Sequence, residues 1–238
     1  LPGGGPRYGG PPLRRGLEAG YWENEWGMGY RLQVYETGTY DEQVVVSKAL
    51  TLEGAGATTI IKPTQATAGS FSLFDRKNGG AANTTGVLVT NTTSSVTVSD
   101  TQIDGSLVTS TPSAATFMGI LYRGTPGVID SVTVSGISLT NGNGIYVSGY
   151  GSAVAVTISS CIVSGYEKNG ITANNQGLTA TISGNTVTGM GATSGTAQNG
   201  IQIGWAATGM VTGNTVANHV WTNTYGGSND PVADVEAD

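Results

Sequence analysis

Cysteine, histidine and charged residues are all scarce in this chain of 238 residues. A single cysteine, Cys161, excludes an intrachain disulfide framework and a cysteine zinc cluster. Charged residues make up 11% of the sequence, and the formal net charge is −6. Because phosphate binding needs clustered Lys and Arg, and only Arg123 and Lys168 lie beyond residue 77, the sequence argues against a nucleic-acid partner. No apolar run approaches the roughly 20 residues of a membrane-spanning helix.

Glycine, threonine, serine, asparagine and valine are abundant instead. The 38 glycines and 8 prolines together form about a fifth of the chain, which is below the level that indicates disorder. This composition favours strands and turns over helices. The sequence begins with Leu and shows no signal-like apolar segment, so we expect a processed or excerpted form. The composition favours an extracellular or cell-surface location.

The triplet Asn-Gly-Ile occurs three times, at 143–145, 169–171 and 199–201. Alternating stretches accompany it: "SVTVSGISL", "AVTISSCIV", "ATISGNTV" and "MVTGNTV". Self-similarity at such spacings indicates stacked units, and period-two alternation indicates strands with one face inward. No unit supplies a matched antiparallel partner or a helix long enough for a crossover. We therefore predict a solenoid in which each repeat makes one turn and equivalent strands stack in parallel.

Equivalent positions of the repeat should form columns along this solenoid. Stacked asparagines would share side-chain amide hydrogen bonds, and glycines would turn corners in a backbone conformation that other residues resist. Isoleucines would point inward as a core ladder. The three columns are Asn143, Asn169 and Asn199; Gly144, Gly170 and Gly200; and Ile145, Ile171 and Ile201.

A second column is predicted three residues after an apolar strand position. We interpret it as an inward-facing bend in which Asn185 and Asn214 pair with each other and Cys161 is buried and inert. The apolar positions are Val98, Val134, Ile158, Ile182 and Val211, and the column after them is Thr101, Ile137, Cys161, Asn185 and Asn214.

An early segment adds a family resemblance. The stretch "VYETGTYDEQVVVSKALTLEGAGATTIIKP" has the order Gly-x-Tyr-x-Glu at Gly38, Tyr40 and Glu42, then alternating valines, "LTLEGAG" and a Thr-Ile-Ile strand. Together with the repeats, it resembles the right-handed parallel β-helix proteins of the pectate-lyase-like superfold over about residues 31–222. The resemblance implies an all-β, single-stranded right-handed parallel β-helix. This fold is shared by enzymes, adhesins and passive surface proteins.

Three regions are expected on this basis. Residues 1–30 form a Gly/Pro-rich basic arm with an aromatic cap segment, residues 31–222 form the β-helix, and residues 223–238 form an acidic tail. Solenoids need caps because their end coils present unpaired backbone and apolar core.

Enzymatic branches of the superfold carry catalytic segments such as "QDTL", "DFIFG", "NTD", "DD" and "GHG", and none occurs here. A lyase or hydrolase has weak support from Asp100, Asp104 and Asp130 near Arg123, because Asp in such turns usually forms hydrogen bonds with its own backbone. His219, the single histidine, is expected at a cap or exposed position. The resemblance therefore favours a non-enzymatic surface or structural branch. We assign no catalytic, cofactor-binding or metal-ligating residue.

The two ends suggest the leading functional hypothesis. A basic arm and an acidic opposite end would let identical subunits associate head to tail, forming a filament or a surface layer. Aromatic residues would anchor the contact, and a cap without assembly is the alternative. The residues concerned are Arg7, Arg14 and Arg15; Tyr21, Trp22 and Trp26; and Asp234 and Glu236.

Two other functions stay open. A carbohydrate-binding or adhesive module would use exposed aromatics that stack on a polysaccharide, and a polysaccharide lyase or hydrolase would use the aspartates named above. The candidate aromatics are Tyr122, Tyr146, Tyr150, Tyr166 and Trp205. Two Asn-Thr-Thr sequons, at Asn83 and Asn91, are candidate glycosylation sites in a secreted protein.

Overall fold

The computed structural model describes residues 30–33, 37–64, 84–111, 116–222 and 235–237. These residues form 21 short strands joined by turns, and none of them belongs to a helix. The part of the chain that the structure describes therefore has no helix that is long and apolar enough to cross a membrane.

The strands build three parallel sheets, because each strand pairs with the strand three places further along the chain. Sheet A contains β1 (Tyr30–Gln33), β4 (Leu50–Glu53), β7 (Val96–Ser99), β10 (Gly127–Asp130), β13 (Val154–Ser159), β16 (Leu178–Ser183) and β19 (Thr208–Thr212). Sheet B contains β2 (Gly38–Tyr40), β5 (Thr59–Ile61), β8 (Gln102–Asp104), β11 (Thr133–Ser135), β14 (Ile162–Ser164), β17 (Thr186–Thr193) and β20 (Thr215–Trp221). Sheet C contains β3 (Val44–Val46), β6 (Thr84–Thr90), β9 (Phe117–Arg123), β12 (Asn143–Ser148), β15 (Asn169–Asn174), β18 (Asn199–Gly204) and β21 (Val235–Ala237).

The chain thus passes through sheets A, B and C in turn, and it does so seven times. We number these turns as coils 1 (β1 to β3) to 7 (β19 to β21). Connections between parallel strands of one sheet are right-handed in about 98% of cases. The prediction of an all-β, single-stranded parallel β-helix is confirmed, and its right-handed winding stays a prediction that this preference favours.

The core lies between the three sheets and is built from columns of Val and Ile. Each fully buried aliphatic side chain contributes about 1.5–3 kcal/mol relative to an exposed one. Because equivalent residues stack between coils, each side chain covers the same residue type below it. The column in sheet C is Val87, Ile120, Ile145, Ile171 and Ile201, and the column in sheet B is Ile61, Ile103, Val134, Val163 and Val187.

A tight turn joins sheet A to sheet B, and one residue in it adopts the left-handed backbone conformation, with φ between 52° and 66°. Glycine adopts this conformation without steric cost. The left-handed residues are Asp100, Ser131, Ser160, Gly184 and Gly213. The residues after them, which turn back toward the core, are Thr101, Val132, Cys161, Asn185 and Asn214.

The predicted second column is therefore wrong in coil 4. Ile129, rather than Val134, is the Cα partner of Ile158 in sheet A, and Val132, rather than Ile137, stands three residues later. Val134 lies in sheet B instead. The two stretches "GVID" and "TVS" alternate equally well, and the left-handed turn between them resets which residues face inward. Periodicity alone does not distinguish these registers.

Two asparagines continue this column with shared hydrogen bonds. Asn185 Nδ2 donates to Asn214 Oδ1 at 2.8 Å and to the Ile158 carbonyl at 3.0 Å. The Cys161 N–H donates to Asn185 Oδ1 at 2.9 Å. These bonds satisfy buried backbone groups where the chain passes from sheet A to sheet B. Each of these groups would cost about 1–3 kcal/mol of stability if it were left without a partner.

Another asparagine column begins the strands of sheet C. Asn143, Asn169 and Asn199 are consecutive Cα partners and all are buried. Asn169 Nδ2 donates to Asn143 Oδ1 at 2.9 Å, and Asn199 Nδ2 donates to Asn169 Oδ1 at 3.1 Å. Side-chain amides therefore form a hydrogen-bonded chain that crosses three coils.

The conformational role predicted for the neighbouring glycines is wrong. Gly144, Gly170 and Gly200 lie inside strands, and none of them has a positive φ. A Cβ at Gly144 would lie 2.4 Å from Val163 Cγ1, and one at Gly170 would lie 2.4 Å from Val187 Cγ1. Glycine is required there because sheets B and C approach each other closely, not because the backbone turns a corner.

Candidate functional site

Four side chains mark one edge of sheet C, where each strand ends and the chain turns toward sheet A. They are Arg123 in coil 3, Tyr150 in coil 4, Asn174 in coil 5 and Trp205 in coil 6, and we call this set the rim. Because neighbouring parallel strands lie about 4.8 Å apart, the rim extends over about 14 Å along the solenoid. One face thus carries aromatic, cationic and amide groups in a row.

Tyr150 and Trp205 are exposed and conformationally strained. Their exposed fractions are 40% and 48%, and their φ angles are +47° and +56°. By sheet register, Trp205 stands where Asn175 and Gly124 stand in earlier coils, and both of these also have positive φ. Asn and Gly tolerate this conformation, whereas a bulky residue pays about 1–2 kcal/mol for it.

Arg123, the last residue of β9, lies against the ring of Tyr150. Its Cζ is 3.9 Å from the ring centroid, which is a cation–π contact. Arg123 Nε is buried and has no hydrogen-bond partner among the described residues. A buried donor of a charged group without a partner is costly to stability.

Asn174, at the end of β15, has a buried acceptor atom without a partner. The residue is 6% exposed, and its Nδ2 donates to Tyr146 Oη at 3.1 Å. Its Oδ1 is buried and accepts no hydrogen bond within the described ranges. Ser148, between Arg123 and Asn174 in the sheet, accepts a bond from Asn175 Nδ2 at 2.8 Å. Arg123 Nε and Asn174 Oδ1 therefore have no partner among the described residues, and the hydrogen-bonded Ser148 lies between their strands.

The outer face of sheet C beside the rim is apolar. Leu88, Met118 and Leu121 form a buried cluster that is separate from the core, and Tyr146 packs against it. Leu88 and Leu121 alternate along their strands with residues that point into the core.

The candidate catalytic aspartates make hydrogen bonds within the chain. Asp104 lies 2.8 Å from Lys62 Nζ, and it accepts a bond from the Ser106 N–H at 2.9 Å. Burial raises the pKa of the Asp104 carboxyl, but the bonds from Lys62 and Ser106 outweigh that effect and hold the pKa below its usual value. Asp130 accepts bonds from the hydroxyls of Ser131 and Ser159.

These aspartates do not converge with Arg123. Asp104 ends a strand of sheet B and Asp130 ends one of sheet A, whereas Arg123 ends one of sheet C. Asp100 lies in the turn between sheets A and B. In the ranges that the structure describes, no three His, Cys, Asp or Glu side chains form a group able to hold a metal ion.

Cys161 and His219 are both buried. Burial raises the pKa of the Cys161 thiol to about 12, so the thiol stays protonated at neutral pH. The expectation of an exposed His219 is wrong, because the side chain is buried in the last coil and its Nε2 contacts the hydroxyl of Tyr166. A buried histidine fits here because Gly189, in the intervening coil, leaves room for the ring.

For two of the candidate sugar-binding aromatics, the prediction of an exposed side chain is also wrong. Tyr122 and Tyr166 are fully buried in the core, and burial raises the pKa of the Tyr122 hydroxyl. Tyr122 Oη donates to backbone carbonyls, with Val96 O and Val128 O each at 3.2 Å. The sequence contained the signal, because Tyr122 follows Ile120 by two residues and therefore shares its inward face.

Most of the predicted assembly residues lie outside the described residues, and so does the sequon at Asn83. That set is Arg7, Arg14, Arg15, Tyr21, Trp22, Trp26 and Asp234. Glu236, predicted in an extended acidic tail, lies in strand β21, which pairs with β18. Asn91 lies on an exposed turn after β6 with φ of +58°, and its glycosylation stays a prediction.

Comparison with solved structures gives a likeness in fold. The crystal structure of a pectin methylesterase in complex with hexasaccharide VII matches with a TM-score of 0.40 and 12% identity. The match covers 76% of this chain and 58% of that one, so the chain spans less than two thirds of the enzyme's length. No protein-family model matches the sequence, and the search of curated proteins found no match.

Proposed function

We propose that this β-helix is a non-catalytic carbohydrate-binding module and that a glycan lies along the rim. The observation that carries this proposal is the placement of two exposed aromatic rings, Tyr150 and Trp205, on left-handed turn residues. Strained conformations of this kind persist where a function requires them. The strain costs stability, and neither ring recovers it by full burial in the core.

The chemistry of the rim fits a sugar. Aromatic rings offer flat apolar surfaces, and Tyr and Trp suit sites that are apolar on one side and wet on the other. The guanidinium of Arg123, which is partly exposed beside Tyr150, adds N–H donors that can orient a sugar hydroxyl.

The spacing indicates an oligosaccharide. Tyr150 and Trp205 belong to coils 4 and 6, and two steps of about 4.8 Å separate them by about 10 Å. One sugar ring does not bridge that distance, so binding should require a chain that runs along the solenoid axis.

A glycan array with the intact protein tests this proposal. We expect retention of at least one oligosaccharide, and Tyr150→Ala or Trp205→Ala should weaken its binding at least tenfold. Ile162→Ala is the matched control, because Ile162 is 52% exposed on sheet B, away from the rim. Absence of binding across the array, or variants that bind like the wild type, would contradict the proposal.

A second candidate is self-association of identical subunits into a filament or a surface layer, in an extracellular or cell-surface location. Its support is that the first and seventh coils present the same order of strands, A, B and C, in the same direction. Within the described ranges, no strand lies beyond β19 or β20, so a second copy could extend both sheets. Such a heterologous contact propagates without closing.

Electron microscopy and light scattering test self-association. Seven coils of about 4.8 Å make one subunit about 34 Å long, so filaments should be multiples of that length. Met210→Lys, which places a charge on the exposed face of the terminal strand β19, should shorten them. A monodisperse monomer at every concentration would exclude this candidate.

A further inference from the structure

We infer that coil 7 is the docking face for a second copy of this chain, whose coil 1 continues sheets A and B in register. This inference rests on the self-association proposed above as the second candidate, and it adds the face, the direction and the register of the contact. Three observations support it: the core is partly exposed at coil 7, the edge strands there are unprotected, and coil 1 has the strands that fit them.

The core is closed in the middle coils and partly open in coil 7. In sheet A, the inward position is at most 1% exposed in every coil from Leu52 to Ile182, whereas Val211, which follows them in the column, is only partly buried. In sheet B, the same change occurs between Val187 and Val216. Apolar surface that meets water lacks the stabilisation of burial, so a further coil stacked on this end would be favourable.

The strands at this end lack the charges and prolines that usually protect an edge. β19 (TGMVT) and β20 (TVANHVW) contain no Lys, Arg, Asp, Glu or Pro. Monomeric β proteins protect or cover an edge strand because its unpaired N–H and C=O groups otherwise pair with another chain. Within the described ranges, β19 pairs with β16 alone and β20 with β17 alone. These two strands are therefore suited to accept a parallel partner.

A second copy of this chain has both of the strands that fit. In sheet A, Leu32 stands at the start of the column that Val211 ends. In sheet B, Tyr40 packs against the core at the start of the column that Val216 ends. Coil 1 of the next copy would thus repeat the packing that already joins consecutive coils. A single extended peptide fits less well, because it adds a strand to one sheet only.

The register predicts which residues of the two copies become Cα partners. In sheet A, the columns that begin at Arg31 and Gln33 end at Met210 and Thr212, respectively. Met210 should therefore lie about 4.8 Å from Arg31 of the next copy, measured between Cα atoms, and Thr212 should lie equally close to Gln33 of the next copy. The two crossed pairs are two residues out of register and about 8 Å apart. Because a disulfide needs Cα atoms within about 7 Å, only the matched pairs can be bridged.

Four variants test this register: Arg31→Cys, Gln33→Cys, Met210→Cys and Thr212→Cys. Each keeps Cys161, whose buried thiol stays protonated at neutral pH. Variants are mixed in pairs at a concentration at which the wild-type chain associates, oxidised mildly and separated on a non-reducing gel. The two matched mixtures should give at least tenfold more disulfide-linked dimer than the two crossed mixtures. Light scattering checks that each variant associates like the wild type.

The failures of the two proposals are distinguishable. If the chains associate but crossed mixtures link as well as matched ones, the register is overturned and self-association stands. The same conclusion follows if Met210→Cys links to itself as readily as to Arg31→Cys, or if associated matched mixtures give no linked dimer. If every variant and the wild type are monodisperse monomers at all concentrations, both proposals are overturned.

Discussion

The hydroxyl of Tyr166 contacts Nε2 of His219, although the two residues belong to coils 5 and 7. The rings are nearly parallel, with centroids 6.0 Å apart. Coil 6 passes between their backbones at Gly189, where a Cβ would lie 2.8 Å from His219 Cδ2 and 2.5 Å from the Asn218 carbonyl oxygen. The absence of a side chain at one position therefore lets the last coil bind to a residue two coils below.

Gly189→Ala should accordingly destabilise the last coils. We expect a loss of about 1–3 kcal/mol in the free energy of unfolding, the usual cost of overpacking. Gly195→Ala is the matched control, since no described atom lies within 4 Å of its Cβ position and its φ is not positive. Urea unfolding of both variants measures the difference. Equal stabilities would show that the Tyr166–His219 contact does not depend on this space.

Asn169→Ala tests the asparagine column in sheet C. Removing the side chain leaves Asn199 Nδ2 without its acceptor in the column, whereas Asn143 Oδ1 keeps the bond from the Thr172 hydroxyl. The free energy of unfolding should fall by about 2–3 kcal/mol, because buried polar groups are costly when unpaired. A double-mutant cycle with Asn143→Ala should give a coupling of at least about 0.5 kcal/mol. Additive effects would show that the amides act independently.

The thiol of Cys161 should be inert in the folded protein. Its pKa is raised to about 12 by burial, so the thiolate fraction is negligible at pH 8. Ellman's reagent at pH 8 should leave the native protein unlabelled and label one thiol per chain after denaturation. Rapid labelling of the native protein would mean that the turn between sheets A and B opens readily.

Asp104 should make stability depend on acid pH. Because its folded-state pKa lies below the unfolded value of about 3.9, it contributes stability above that value and loses it as pH falls through the folded pKa. Asp104→Asn should therefore lose less stability than the wild type between about pH 5 and pH 2. Lys62→Gln, which removes the ion-pair partner, should show the same flattening. Identical pH profiles for all three proteins would contradict this role.

Much of the fold could be predicted from side-chain columns that recur in the sequence. The Asn-Gly-Ile repeats give strand positions in sheet C whose residues are Cα partners in the structure. The register of coil 4 could not be predicted, because the stretches around Ile129 and Val134 alternate equally well. Which stretch lies in sheet A depends on the turn at Ser131, whose left-handed conformation has no signature in the side chain.

The rim was only partly predictable. Tyr150 and Trp205 are among the candidate aromatics, and each stands directly after a Gly in the sequence. The contribution of Asn174 could not be predicted from the sequence, because Asn174 lies 51 residues from Arg123. Only the register of sheet C brings the two residues to one edge. Long-range register of this kind depends on how the coils stack.

One variant tests the carbohydrate-binding function most directly. Trp205→Asn places at the strained turn position the residue that Asn175 supplies one coil earlier. We expect the free energy of unfolding to be retained or to rise by up to about 1 kcal/mol, because Asn tolerates the left-handed conformation. Titration of the glycan retained on the array should show binding weakened at least tenfold. Unchanged affinity in this variant would contradict a glycan-binding role for the rim.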